Sequence, residues 1–370
     1  MLDDKINIRN YLKESILSKG LTQKKVSLET GISEGQLSKF FSSGQEISFS
    51  MVLDLVQLLA PEKEIELMTS YVMNITRKKN QRIALEYAHV KRIHDLSRHL
   101  IEKGLIDQNE EVREWSQIYH WQFQAKQTDY NEREFLSELK KFKAHSTEME
   151  ALLMILEMYS FFYNKNLEIA NYYIEGIKEK ISEISDPFIY KAFMVRLDEA
   201  VSHIALKFKD NVELARQASE RILVSRMGPT FDSTAYFILG ISYMMESYER
   251  AYEYLNHCLS INEDIERFNV ADNIKENISI LQFWWGKEVD YLNPFIKILI
   301  GEAKTQIKLD KEQQAYVLLF EGIKEKNCVK LLLSMHLFLE NNDVFRARLP
   351  KIELLKIDSF ESSILKEVIV

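Results

Sequence analysis

Leu21-Thr22-Gln23, Gly31-Ile32-Ser33 and Leu37-Ser38-Lys39 punctuate a segment in which two short helical patterns meet at a single glycine. With Ser33 heading the second pattern, Glu34, Gly35, Gln36, Ser38 and Lys39 face outward, and Gln23 stands at the start of the first. Such groups recognise rather than make or break bonds. Amide, hydroxyl and ammonium groups on a short helix can reach base edges in a major groove, while a Gln at the preceding helix start meets backbone phosphate. The candidate DNA contacts are therefore Gln23, Ser33, Glu34, Gln36, Ser38 and Lys39. Gly35 sits where a base-reading side chain would be expected, which leaves a part for DNA shape.

The elements that must position these residues follow from their neighbours. Two helices crossing steeply need a small residue where they touch, and Ser27 supplies it. Gly31 takes the sharp turn, Val26, Ile32, Leu37 and Phe40 form a shared apolar seam, and Ser33 is free to cap the second helix. An amphipathic stretch from Ile8 to Leu17, closed at Gly20, precedes the motif. A further one, Ser48 to Leu59, follows with Val52, Leu55, Val56 and Leu59 inward. The pattern resembles the phage-repressor-like helix-turn-helix family; a small helical bundle with similar turns is the structural alternative.

Enzyme chemistry finds no such support. Eight histidines form no HExxH and no paired Cys/His ligand set, and no GxGxxG, phosphate loop or GxSxG is present. His89, His94 and His99 recur at five-residue intervals, a spacing that scatters them over different helix faces. Trp284-Trp285 and Phe161-Phe162-Tyr163 read as core or groove residues. No catalytic residue, metal ligand or cofactor site is assigned, and the chain is read as no enzyme.

Composition sets the class. The 370 residues include 11 Gly and 5 Pro, against roughly 26 and 18 from average usage, a shortage of chain breakers that suits a mostly helical protein. The net charge is −8 with 46% hydrophobic residues, which excludes a disordered polyanion. Residues 1–60 carry seven basic and seven acidic side chains, so the first segment is neutral and the remainder holds the whole −8. A neutral reader on an acidic body gains little from counterion release, and two copies on a palindromic or repeated site would restore affinity. Cys258 and Cys328 lie far apart and form no CxxC. With no apolar start or membrane-length run, a cytoplasmic protein that enters no membrane is expected.

Beyond Pro61 the chain reads as helix after helix. Asn166-Leu167-Glu168-Ile169-Ala170, Asn211-Val212-Glu213-Leu214-Ala215 and Ser247-Tyr248-Glu249-Arg250-Ala251 are three helix starts, their alanines 45 and 36 residues apart. Asn or Ser caps, Glu meets the helix dipole, and Ala admits a close neighbour. Tyr236, Leu239, Gly240 and Tyr243, followed by Ala251, Leu255 and Cys258, resemble a tetratricopeptide repeat with its turn shortened by one residue. Such pairs stack into a superhelix with a groove for peptides or partner helices; an irregular bundle is the alternative. Between the parts, Arg77-Lys78-Lys79-Asn80-Gln81-Arg82 reads as a solvated linker or a brace on the DNA backbone. The apolar tail Ile364, Leu365, Val368, Ile369 and Val370 would cap the superhelix or join two protomers.

The resulting expectation is an all-α chain, an N-terminal helix-turn-helix domain followed by a tetratricopeptide-like α-solenoid. Residues 1–60 bind DNA, 61–82 form a linker helix, 83–345 form the superhelical domain and 346–370 cap or dimerise. This architecture resembles the peptide-sensing regulators of Gram-positive bacteria and their phages. Glu66-Leu67-Met68 with Tyr71, Ala84-Leu85-Glu86-Tyr87-Ala88, Asp186-Pro187, and Thr234-Ala235-Tyr236 with Leu239-Gly240 are similar to the arbitrium receptors of SPβ-type phages. That resemblance implies a homodimer on a double-stranded DNA operator, with a short peptide in the groove altering DNA binding and so deciding lysis or lysogeny. It also implies peptide contacts at the positions of Thr230 and Ile241, where the family pattern carries Arg and Asn. The exchange removes a cation suited to a peptide carboxylate. It leaves open a regulator of the same architecture that binds no peptide, and an interaction protein that has lost DNA binding.

Overall fold

The structure, a computed structural model, describes residues 7–124, 132–303 and 307–357. Among them there is no strand; the chain is built of α-helices joined by short turns, and it divides into two compact units. The first comprises Met1–Leu153 with Lys180–Phe193, the second Met154–Glu179 with Met194–Val370.

The first unit opens with α1 (Ile8–Ser18), α2 (Gln23–Thr30), α3 (Glu34–Ser42) and α4 (Phe49–Leu59). Each boundary has a local cause. Asn7, Thr22 and Ser33 cap α1, α2 and α3 by accepting first-turn backbone N–H groups, and Gly31 ends α2 at φ 71°. Thr30 Oγ1 reinforces the turn by donating to Val26 O at 2.7 Å and accepting from Ile32 N at 3.3 Å. Leu12, Val26, Ile32, Leu37, Phe40, Val52 and Val56 close over one another as the headpiece core, fully buried.

A short 3-10 turn at Pro61–Lys63 leads into α5 (Glu64–Val72), α6 (Lys78–Val90), α7 (His94–Leu105), α8 (Glu110–Gln124) and α9 (Glu132–Lys141). A polar strap joins the end of the headpiece to the start of α6. Glu46 accepts from Thr76 N at 2.9 Å, Thr76 Oγ1 at 2.8 Å, Arg77 N at 3.1 Å and Asn80 Nδ2 at 2.7 Å. Buried Asn80 also donates to Ile47 O and accepts from Phe49 N. The basic run is spent on structure: Lys78 pairs with Asp107 at 2.7 Å, Lys79 with buried Asp186 at 3.5 Å, and Arg82 with Glu111. Arg77, Lys78 and Lys79 stay exposed to solvent, so the run is a solvated start to α6 whose Lys78, Lys79 and Arg82 also pair with acids of the same unit. His89 falls on α6 while His94 and His99 fall on α7, so the three do not share one helix.

Three helices are divided between the units: α10 (Thr147–Tyr163), α11 (Leu167–Ser182) and α12 (Pro187–Lys207). The second unit continues with α13 (Val212–Ser225), α14 (Pro229–Ser242), α15 (Tyr248–Asp264), α16 (Phe268–Trp284), α17 (Pro294–Leu299), α18 (Lys311–Glu325), α19 (Cys328–Glu340) and α20 (Val344–Leu354). The pairs α13/α14, α14/α15, α18/α19 and α19/α20 pack as successive hairpins, which is tetratricopeptide-like solenoid architecture. All three repeat starts seen in the sequence are helix starts, and Ala170, Ala215 and Ala251 are fully buried. At Gly240 a Cβ would lie 2.7 Å from Leu255 Cγ and 3.2 Å from Ala251 O, so the α14/α15 crossing admits no side chain. The apolar tail from Ile364 to Val370 lies outside the described residues.

Candidate nucleic-acid interface

The outward face of α3 begins at a doubly satisfied cap. Ser33 Oγ accepts from Gln36 N at 3.3 Å, and Gln36 Oε1 accepts from Ser33 N at 3.2 Å, the reciprocal arrangement of a capping box. Beyond it Glu34, Gly35, Ser38 and Lys39 are exposed; so are Ser33 itself and, on α2, Gln23, Lys24 and Lys25. Gln36 differs from the sequence expectation. It is half-buried, its amide lies 3.8 Å from Met51 Sδ, and its carbonyl is spent on the cap. The Ser33-x-x-Gln36 spacing itself was the signal for that role.

The far end of α3 is held as firmly. Arg9 extends over the Phe40 ring at 5.1 Å and donates to Gly44 O at 2.8 Å. The motif thus presents a capped, exposed helix whose opposite face, Leu37, Phe40 and Phe41, is buried.

Thr230 and Ile241 both fall on α14 in the second unit but have different surroundings. Ile241 is 2% exposed within the hydrophobic core, so its side chain offers nothing to a groove. The Thr230 hydroxyl oxygen is buried with no hydrogen-bond partner among the described residues. One turn on, Thr234 Oγ1 lies 3.0 Å from Glu199 Oε1, and Tyr159 donates to Glu199 Oε2 at 2.6 Å. Burial pushes the Glu199 carboxyl above the ordinary range against the opposing pull of Tyr159, Thr234, Arg196 and Arg267.

Further along the second unit, buried Arg346 donates to Asp343 and to Asn277 Oδ1 at 2.9 Å each and lies 2.8 Å from Glu312. Burial, with Lys207 and Arg346 nearby, pushes His203 down to about 3 and keeps it neutral. Burial alone would raise Glu312, but Arg346, Lys207 and Lys165 hold it below the usual carboxylate range. Sequence reasoning missed this polar interior. Its one local trace is Arg196, Glu199, His203 and Lys207 at three-and-four spacing along α12.

Among the described residues no group of His, Cys, Asp and Glu is placed to hold a metal ion, and no helix is long and apolar enough to cross a membrane.

Comparison with known proteins gives a consistent picture. The chain is 26% identical over 331 residues to the AimR transcriptional regulator of Bacillus phage SPbeta, covering 83% of this chain and 84% of that protein. The match to the SPbeta prophage-derived uncharacterized protein YopK of Bacillus subtilis (strain 168) has the same identity and extent. Among solved structures, SeMet-phAimR superposes with a TM-score of 0.75 at 16% identity, over 98% of this chain and 100% of that one. The phAimR-Ligand structure gives 0.69 at 18%, over 84% and 98%. These two likenesses bear on the fold. The family described as AimR transcriptional regulator-like matches residues 64–356, and the chain belongs to that family of transcriptional regulators.

Proposed function

We propose that the chain is a homodimeric, DNA-binding regulator of phage or prophage lysis and lysogeny, with α3 entering an operator and a short peptide entering the second unit to alter DNA binding. The observation that carries the DNA half is the capped N-terminal face of α3, where Glu34, Gly35, Ser38 and Lys39 stand exposed beside Gln23 on α2. Gln36 supports that face from behind rather than reading a base. The peptide half rests on the polar interior around Glu199 and on the unpartnered Thr230 hydroxyl, a buried group that a ligand's amide would satisfy.

Genome-wide capture of DNA by the purified full chain tests the first half. It should enrich paired half-sites with centres separated by about one helical turn or a multiple of it, and a map without an enriched site would overturn it. Calorimetry against a library of short synthetic peptides tests the second.

A specific observation favours a second reading, the same regulator without a peptide. Ile241 is sealed in the core, and Arg346 is already matched by Asp343, Glu312 and Asn277. The absence of peptide binding together with an enriched operator would select it.

A further inference from the structure

Two of the polar side chains at the start of α3 have their hydrogen bonds settled. Ser33 and Gln36 hold each other's backbone N–H groups in the capping box, and the Gln36 amide faces Met51 Sδ at 3.8 Å. Gly35 has no side chain, and a Cβ there would meet nothing within 4 Å. Glu34 stands apart from them. It is exposed in the first turn, and among the described residues it makes no hydrogen bond and no ion pair.

A free carboxylate is a demanding group to bring to DNA. It accepts hydrogen bonds and donates none, and the phosphates and most hydrogen-bonding atoms of the major-groove edges are acceptors that repel it. The exceptions are two amino groups, N4 of cytosine and N6 of adenine. The adenine donor lies between two acceptors, its own N7 and O4 of the paired thymine, whereas the cytosine donor has an acceptor on one side only, O6 of guanine. A carboxylate in the groove therefore selects cytosine. Gly35 at the next position leaves the space beside it clear. A first-turn acid also complements the helix dipole, but that role is indifferent to bases.

We propose that Glu34 is a specificity-determining residue, its carboxylate accepting a hydrogen bond from N4 of one cytosine in each half-site, an assignment that rests on the reading of α3 as the helix that enters an operator. Other bases at that position are rejected by repulsion as well as by the lost bond. The Gln36 amide, the group best suited to adenine, is withheld by the cap, so the acid beside it carries the choice of base.

The test selects bound sequences from a randomised double-stranded DNA library with the full chain, run side by side on the wild type, Glu34→Gln and Glu34→Ala, with circular dichroism to show that all three fold alike. The wild type should enrich half-sites in which one cytosine is preferred about tenfold over other bases. Glu34→Gln should move that position from cytosine to adenine, whose N6 and N7 a carboxamide meets with an acceptor and a donor. Glu34→Ala should lose the preference there and keep the rest of the half-site. An enriched site with the same base preferences in all three chains would show that the carboxylate serves only the helix, and would overturn the assignment while the operator stands. No enriched sequence with the wild type would remove the DNA-binding reading itself, and the assignment with it.

Discussion

Removing the Glu46 carboxylate should loosen the start of α6 and do so in a pH-dependent way. The group accepts two backbone N–H groups, from Thr76 and Arg77, at the point where a helix has donors without internal partners, and one buried amide, from Asn80. A helix cap is worth about 1 kcal/mol, and a charge-assisted hydrogen bond to a buried partner about 1.5–3 kcal/mol. Thr76 and Arg77 are exposed, so water replaces part of what they lose, and Asn80 keeps Ile47 O as an acceptor. Glu46→Ala should therefore cost about 2 kcal/mol, a factor of roughly thirty in the opening of this region.

Burial pushes Glu46 up, but the hydrogen bonds from Thr76, Asn80 and Arg77 outweigh it and hold the carboxyl below its ordinary range. With the folded value below the unfolded one, the contribution is present in full above about pH 4.3 and is lost as pH falls through the folded value. Hydrogen exchange at Gln81 and its neighbours, with urea unfolding, measures both effects. The wild-type advantage over Glu46→Ala should be full at pH 7 and smaller at pH 3. An equal gap at both pH values, or none at pH 7, would refute the strap.

Four further substitutions probe the crossings and the reading face. Gly240→Ala gains about 1 kcal/mol of helix propensity but forces a methyl group against Leu255 at a cost of about 1–3 kcal/mol. The variant should therefore melt lower, while Gly35→Ala, whose Cβ meets nothing within 4 Å, should melt slightly higher; the opposite order would show that the α14/α15 contact is slack. On the headpiece, Lys39→Ala should weaken operator binding and reduce the magnitude of its salt slope by about one without changing the melt. Gln36→Ala should lower the melting temperature through the lost cap, about 1 kcal/mol, and an unchanged melt would mean that the capping box contributes nothing in solution.

The headpiece was legible because its signals are local. Ser33 as a cap, Gly31 at positive φ and the seam of Val26, Ile32, Leu37 and Phe40 each act within a few residues, and all stand where their spacing places them, while the Thr22 cap of α2 was not read. The repeat was legible where Ala marks a close approach and is also present where it was overlooked. Asp343 with Ala347 follows the same plan four residues apart, while Asn327 leads to Leu331, whose bulk is accepted because Gly322 faces it. The polar interior was not legible. Glu199, His203, Glu312 and Arg346 come from α12, α18 and α20, more than a hundred residues apart at the extremes. Periodicity says that a helix has a polar stripe, but not that the stripe turns inward.

Charge accounting connects the two parts of the chain. Lys78, Lys79 and Arg82 are committed to acids inside the first unit, and Arg9 is committed to Gly44 O and the Phe40 ring. The exposed cations on α2 and α3 are Lys24, Lys25 and Lys39, with Glu34 beside them. Three phosphate contacts give a salt slope of only about −3, too little for one headpiece to hold a site firmly at physiological ionic strength. Under the proposed reading as a dimeric DNA-binding regulator, affinity comes from two headpieces held at a fixed spacing, so whatever fixes that spacing would control occupancy without touching α3. The Glu46 and Asn80 strap ties the end of the headpiece to α6.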